Sequence, residues 1–432
     1  MSGTSLTENR EMDQPLKPAA TGEFVPSLLA ASCPVCGVSA ALTFFDGGQA
    51  PLATLGWPRT REEAQAMPRY PLDFVQCAAC GHVWNRAFRY EDVPYDDQPN
   101  RMFNTGLLWR GHLAELADAT LALLPENPCV VEIGCGCGHF LQELAARRSG
   151  RYFGFDPHGQ AQGQGAFAFE ARLFLPEEDL PRLAPDLVVM RHVLEHFTAP
   201  AAFLLQLAWA ASRWSQPVRL LVEVPCIDRV FTTGRLADFF YEHPQQFSTA
   251  SLRTLLERAG AIERLWHAYD GEVVLAVLRF QVPAAWQERA QAAARFGQQA
   301  LKAKAMIAAQ LATLARSGQR VVIWGGTGKA AAFMHYYGVD GERFPCVVDS
   351  DPDKVGTFVP GCGQPIRSPE ELVAHPPDVV IIPTQWRALD IVTEMAQRGI
   401  TPRQVLIEHG GRLIDFWREP HPYTLPIDQA VS

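Results

Sequence analysis

The stretch Val130-Val-Glu-Ile-Gly-Cys-Gly-Cys-Gly138 decides how this chain is read. Apolar residues around Glu132 have the form of a buried strand, and the run then enters a glycine-rich turn. A helix follows, because Phe140, Leu141, Leu144 and Ala145 recur at helical spacing. Gly134 and Gly136 let the backbone turn with positive φ and admit a ligand closely. Gly138 lets the helix pack tightly on the strand. The spacing is E-x-G-x-G-x-G, not the G-x-G-x-x-G of a dinucleotide turn. A second acid, Asp156, closes Arg151-Tyr-Phe-Gly-Phe-Asp twenty-four residues after Glu132.

Outward from this stretch the pattern alternates strand and helix from Cys129 to about Phe280. Strands are expected at Val130–Ile133, Tyr152–Phe155, Leu187–Met190, Arg219–Val224 and Val273–Arg279. That alternation predicts a mostly parallel sheet with helices on both faces. Ligands of such sheets gather at the carboxyl ends of the strands. The run Arg191-His-Val-Leu-Glu-His196 therefore belongs beside the ligand. His192 and His196, four apart, would share a helix face, but a metal pair lacks a third ligand nearby in sequence.

The glycine spacing resembles motif I of class I S-adenosylmethionine (SAM) methyltransferases. The resemblance implies that Glu132, Gly134, Cys135, Gly136 and Gly138 cradle the amino-acid end of SAM. It implies that Asp156 binds the ribose hydroxyls, that Asp179 lies near the adenine, and that Arg191 lines the pocket. The bland alternative is a Rossmann-like turn that binds nothing.

Composition bounds the rest. A chain of 432 residues is too long for one ordinary core and predicts about three domains. Hydrophobic residues make up 47%, enough for substantial cores. A net charge of −9 without a basic block argues against wholesale nucleic-acid binding. No apolar run is long enough to span a bilayer, and no signal-peptide pattern opens the chain, so the cytoplasm is expected. Residues 1–25 read as a disordered tail.

Ten cysteines in such a chain argue for metal or free thiols. Cys33-Pro-Val-Cys36-Gly is followed forty residues later by Cys77-Ala-Ala-Cys80-Gly. The glycine after each pair frees the turn, so that amides point at thiolate sulfurs. Four thiolates suit a closed, structural zinc site, replacing the core that a module at 26–90 lacks. Four buried thiols or a redox pair are the alternatives, though a redox pair needs one C-x-x-C alone.

A zinc module before a SAM domain, with Pro51-Leu-Ala between the cysteine pairs, resembles the nucleotide-sugar C-methyltransferases. These methylate a carbon next to the ketone of a 4-keto-deoxysugar nucleotide. The resemblance assigns the SAM domain to 91–283, with Tyr95 as the linker tyrosine at the substrate and His196 as a substrate histidine. It places the catalytic stretch at Tyr241-Glu-His-Pro-Gln-Gln-Phe-Ser248. A histidine is the natural base for a proton next to a carbonyl. The resemblance makes His243 that base, Glu242 its orienting carboxylate, and Tyr241 or His196 the stabiliser of the enolate; a substrate-lid loop with unspecific polar residues is the alternative. One departure stands out: the family's tyrosine position, three before the histidine, is Phe240.

Residues 284–317 read as one long connecting helix. Arg320-Val-Val-Ile-Trp-Gly-Gly-Thr-Gly-Lys329 then opens a second Rossmann-like domain, 318–418, whose turn is not a Walker A loop. Amides of Gly326 and Thr327, with Lys329, suit a diphosphate. The resemblance implies that this domain helps hold the nucleotide-sugar; a purely structural partner domain is the alternative. The expected architecture is α/β: a class I SAM-methyltransferase domain flanked by a zinc module and a second Rossmann-like domain. The oligomeric state is not legible. An O- or N-methyltransferase of another small metabolite, or a catalytically weak methyltransferase-like protein that binds RNA or a protein, are the competing functions.

Overall fold

The computed structural model describes residues 24–95, 106–159, 165–214 and 216–424. The predicted tail, 1–25, falls almost entirely outside them. The chain divides into one compact unit ending at Pro283 and another beginning at Ala284.

The first unit holds two sheets. The amino-terminal one starts with β1 (Leu28–Leu29), β2 (Ala41–Ala50), β3 (Tyr70–Cys77) and β4 (Val83–Asn85), paired antiparallel in that order. The two cysteine pairs sit at its β1–β2 and β3–β4 connections. The glycine following each has a positive φ, 83° at Gly37 and 74° at Gly81. Each amide closes back on the first cysteine of its pair, at 2.9 and 3.0 Å.

The second sheet is built on β5 (Cys129–Ile133), β6 (Arg151–Phe155), β7 (Ala168–Glu170), β8 (Leu187–Arg191) and β9 (Arg219–Pro225). Its core is apolar on every strand, as a sheet covered on both faces requires: Val130, Leu187, Val189, Leu221 and Leu275 are at most 1% exposed. A two-residue strand, β10 (Gln245–Gln246), leaves this domain and pairs antiparallel with β4. The chain returns through β11 (Gly260–Ala268) and β12 (Val273–Phe280). The strand order is β7-β6-β5-β8-β9-β12-β11. Neighbours are parallel except that β12 runs against both β9 and β11.

β10 explains why the cysteine module is not a separate bead. Ser248 caps the next helix, Thr249–Glu257, through a reciprocal box with Ser251. Buried His82, next to the second cysteine knuckle, bonds Gln245 at 2.8 Å and Ser251 at 3.4 Å. Phe74 and Val83 share one core with Ile227, Val230, Phe239 and Tyr241.

The second unit begins with a helix, Ala284–Arg316, whose later turns bury Ile307 and Leu311 in that unit's core. Its sheet comprises β13 (Val321–Trp324), β14 (Cys346–Val348), β15 (Ile366–Arg367), β16 (Val379–Ile382), β17 (Gln404–His409) and β18 (Arg412–Asp415). The order is β15-β14-β13-β16-β17-β18, with only the last pairing antiparallel. No helix among the described residues is long and apolar enough to cross a membrane.

Candidate functional site

The turn after β5 takes the form its glycines require. Gly134, Gly136 and Gly138 have φ of 70°, 53° and 74°. A Cβ on Gly134 would sit 2.3 Å from Val193, and one on Gly138 would sit 2.1 Å from Phe167. The close approach at Gly138 is therefore to the Phe167 ring, not the expected packing of helix on strand. Cys135 turns its thiol into the sheet core, against Gly154, and burial pushes it above the ordinary thiol value. Asp156 ties the turn together: its two oxygens accept from the Gly136 and His158 amides, both at 2.9 Å.

Glu132 is 3% exposed, and its Oε2 has no hydrogen-bond partner. Burial raises its carboxyl to about 8, against the pull of Arg191. A buried acid with an unmet oxygen, beside a turn whose Gly136 would carry a Cβ into open space, fits the ammonium and main-chain atoms of an amino-acid-bearing ligand. Asp179 does not join this set. Its carboxylate, 1% exposed, is taken by Arg172 (2.6 Å), Arg182 (2.8 Å) and the Leu175 amide (2.8 Å). Burial would raise it, but these partners hold it down at about 2. It fastens the helix Pro176–Leu183 instead of facing adenine.

At the carboxyl end of β8 the chain makes a tight turn, Leu194–His196. Arg191 lies over Phe140, 4.7 Å from the ring centre, and donates to Glu223 at 3.1 Å. Glu223, fully buried on β9, also faces His192 at 2.9 Å and His112 at 3.3 Å. Burial opposes the His192 charge, yet Glu195 and Glu223 raise this imidazole to about 9. His192 has a left-handed backbone, φ 54°, and its amide donates a hydrogen bond to the Glu223 carbonyl at 2.9 Å. Sequence reasoning passed over Glu223 and His112, which lie in ordinary apolar contexts and meet only through the sheet.

His196 and His243 come together, their rings 4.7 Å apart and nearly perpendicular. His196 Nδ1 donates to the Glu242 carbonyl at 2.7 Å, which fixes its tautomer. Phe240 packs on His243 with ring centres 4.2 Å apart. Tyr95 lies edge-on to His196 at 6.4 Å and stacks on His158 at 6.0 Å. Its hydroxyl is buried without a hydrogen-bond partner, and burial pushes its pKa up. A line of rings thus runs from the loop after Asp156 through Tyr95 and His196 to His243. Burial, with the charges of His196 and His192, keeps His243 well below the usual histidine value, so it is neutral.

Two expected roles need correction. The Glu242 side chain does not orient His243. Its Oε1 accepts from the Thr54 amide (2.7 Å), the Thr54 hydroxyl (3.1 Å) and the Leu55 amide (3.1 Å). It pins the loop between the cysteine pairs to the histidine segment. Tyr241 is fully buried and points away: its hydroxyl donates to Asp92 at 2.7 Å and accepts from the Arg89 amide at 3.0 Å. It stacks on Tyr70, ring centres 4.8 Å apart, and cannot reach an enolate at His243.

All ten cysteines are free thiols. Cys33, Cys36, Cys77 and Cys80 bring their sulfurs within 4.8 Å of one another, with Cys33–Cys80 at 3.6 Å and Cys36–Cys77 at 3.5 Å. Tetrahedral ligation at a metal–sulfur distance of about 2.3 Å needs sulfurs about 3.8 Å apart, so the set fits.

In the second unit, the turn after β13 uses its amides internally. Gly325 donates to the Val348 carbonyl at 2.6 Å and Gly326 to Asp349 at 3.0 Å. A Cβ on Gly326 would lie 2.3 Å from Ile366, so this glycine serves packing and is removed from the expected phosphate cradle. Thr327 stays in the turn, its carbonyl accepting from the Ala330 amide at 3.2 Å. Lys329 opens the helix Lys329–Tyr337 and sits 5.8 Å from the Trp386 ring centre. It lines a cavity of about 990 Å³ with Phe296, Lys302, Tyr336, Gln385 and Arg412. The cavity lies at the carboxyl ends of β13, β16 and β17, where the strand order reverses.

The seven-stranded order, the glycine turn with its two acids, and the clustered groups at the strand ends define a class I SAM-dependent methyltransferase. Residues 108–261 match the methyltransferase domain model, and residues 277–414 match the model of the C-methyltransferase C-terminal domain. C-methyltransferase NovU of Streptomyces niveus is 26% identical over 422 residues, 90% of this chain and 96% of that protein. The chain is a SAM-dependent methyltransferase, and its carboxy-terminal part is similar to that of C-methyltransferases. Solved structures similar to it include magnesium protoporphyrin IX methyltransferase (ChlM) from Synechocystis PCC 6803 with bound SAH. That protein is 18% identical, with 42% of this chain and 90% of that chain covered and a TM-score of 0.30. A SAM-dependent methyltransferase from Aquifex aeolicus is 17% identical over 45% of this chain and all (100%) of that one, with a TM-score of 0.32. Scores this low have no bearing on substrate.

Proposed function

We propose that this methyltransferase is a C-methyltransferase acting on a nucleotide-linked 4-keto-deoxysugar, with His243 as general base. The observation that carries the reading is the line Tyr95–His196–His243 at the strand ends, beginning beside the SAM turn. His243 is neutral and so has a lone pair ready for the proton on the carbon next to the ketone. Phe240 packs against the ring and limits its motion. The unpaired Tyr95 hydroxyl, rather than Tyr241, is the donor for the enolate oxygen. SAM, when bound, supplies a sulfonium methyl group open to attack by that carbon. Glu132 and the Gly134–Gly138 turn hold its amino-acid end, and Asp156 its ribose.

The Cys33–Cys36–Cys77–Cys80 set holds a structural zinc ion. Within the second unit, the cavity beside Lys329 has aromatic rings that suit a base and cations that suit a diphosphate.

The test is turnover of SAM with a nucleoside-diphospho-4-keto-6-deoxyhexose in deuterated water, read by mass spectrometry. A methylated nucleotide-sugar, with deuterium entering at the carbon next to the ketone, is expected. A positioned base contributes ~100–10,000-fold, so His243→Ala should slow both events by about that factor with SAM affinity intact. Wild-type SAM binding with neither methylation nor exchange would remove the keto-sugar from consideration.

A further inference from the structure

The residues assigned so far leave one buried carboxylate beside the base without a role. Glu195 is 1% exposed, and neither of its oxygens has a hydrogen-bond partner. An oxygen of Glu195 and one ring nitrogen each of His196 and His243 all lie within 4.8 Å of one another. On its other side, a Glu195 oxygen is 3.5 Å from His192 Nδ1, while His192 Nε2 faces Glu223 at 2.9 Å. An imidazole with a buried carboxylate before each nitrogen carries a proton on both. His192 is therefore a cation, and Glu195 an anion held in place by it. The surroundings of His243 are the Glu195–His196 turn, His192 preceding it, Phe240 and Glu242 on its own segment, and Tyr95 behind His196. The Glu242 Oε1 is already tied to Thr54 and Leu55. Beyond the ion pair with His192, Glu195 has no donor, so a cation formed at His243 would give its buried charge a second partner.

We propose that Glu195 is a positioning residue whose fixed negative charge favours the imidazolium that forms as His243 takes the substrate proton. The inference rests on the reading of His243 as base. In the step, the C–H electron pair stays on carbon and spreads to the carbonyl oxygen. The proton passes to a His243 nitrogen, and Glu195 keeps its charge throughout, as the aspartate of a hydrolase triad does.

The test uses full-length protein with ¹⁵N-labelled histidine, the His243 signal being assigned with His243→Gln. Glu195→Gln should lower the pH at which His243 protonates by about one unit or more, and Glu195→Asp should retain most of the wild-type value. With the keto-sugar substrate, turnover of Glu195→Gln should fall ~10–100-fold at unchanged KM for SAM. The acid limb of kcat/KM should move to lower pH by the shift seen in the titration, a change that a merely structural role does not produce. Identical His243 titration in wild type and Glu195→Gln overturns the proposal. So does a metal ion bound by Glu195, His196 and His243 in the purified protein. A shifted titration in an enzyme that turns over no keto-sugar sinks the substrate reading and leaves the pairing of Glu195 with His243 standing.

Discussion

Glu132 combines two properties that seldom coincide: it lies in the strand that leads into the SAM turn, and its carboxyl is raised from 4.5 to about 8 by burial. The sign of the linkage follows. Between those values the folded chain binds more protons than the unfolded one, so this residue makes the empty protein less stable as pH rises from about 4.5 to about 8. A cationic ligand group reverses the preference by favouring the carboxylate. SAM binding at pH 7 should therefore release a proton, measurable by calorimetry in buffers of different ionisation heat. Glu132→Gln should abolish the release, weaken SAM, and raise the melting temperature of the ligand-free enzyme at pH 8 relative to pH 5. Proton release of the same size in the variant would place the titrating group elsewhere.

Tyr241 shows how an element can be placed correctly while a side chain is not. The segment from Phe239 to Phe247 stands out in the sequence because Glu and His occur in it together. Which way each side chain points was not, because that depends on β10 joining a sheet from the other end of the unit. Once Gln245 and Gln246 pair with Trp84 and Val83, Tyr241 is directed into the core with Phe74 and Phe239, and His243 into the site. Tyr241→Phe removes the hydrogen bond to the Asp92 carboxylate and the one from the Arg89 amide, and should cost about 1–3 kcal/mol of stability. Turnover at saturating substrate should stay within a few-fold, whereas an enolate stabiliser would lose 100-fold or more. Denaturation midpoints and kcat measured on one preparation separate the two. The strands of the methyltransferase sheet were readable for a physical reason. Strands buried on both faces are continuous apolar runs, so β5, β8 and β9 were found within a residue or two. β7 and β10 were not, being too short to carry a pattern, and nor was the edge strand β11, whose partly exposed residues break the apolar run. Asp179 misled for a similar reason: a charge in sequence does not reveal that Arg172 and Arg182 will surround it.

At the scale of the molecule, the four cysteines and the histidine segment lie in one compact unit. The cysteine knuckles shape the ends of β3 and β4, β4 carries β10, and β10 carries the histidine segment. Arg258, just past the helix that follows β10, donates to the Val35 carbonyl between the first two cysteines at 2.6 Å. A structural metal in such a place contributes folding free energy directly. The second unit has its own sheet and core, with no cysteine of the four in it. Stripping the metal with a strong chelator should therefore abolish methyl transfer and speed amide exchange at Trp84, Gln245 and Gln246. Exchange along β13, β16 and β17 should stay at its original rate. Metal analysis should find one zinc per chain before treatment, and readdition of zinc under reducing conditions should restore both protection and turnover. If the histidine segment keeps its protection after the metal is gone, the cysteine module is a bystander to the site rather than its scaffold. Should β13 exchange faster as well, the two units do not fold independently.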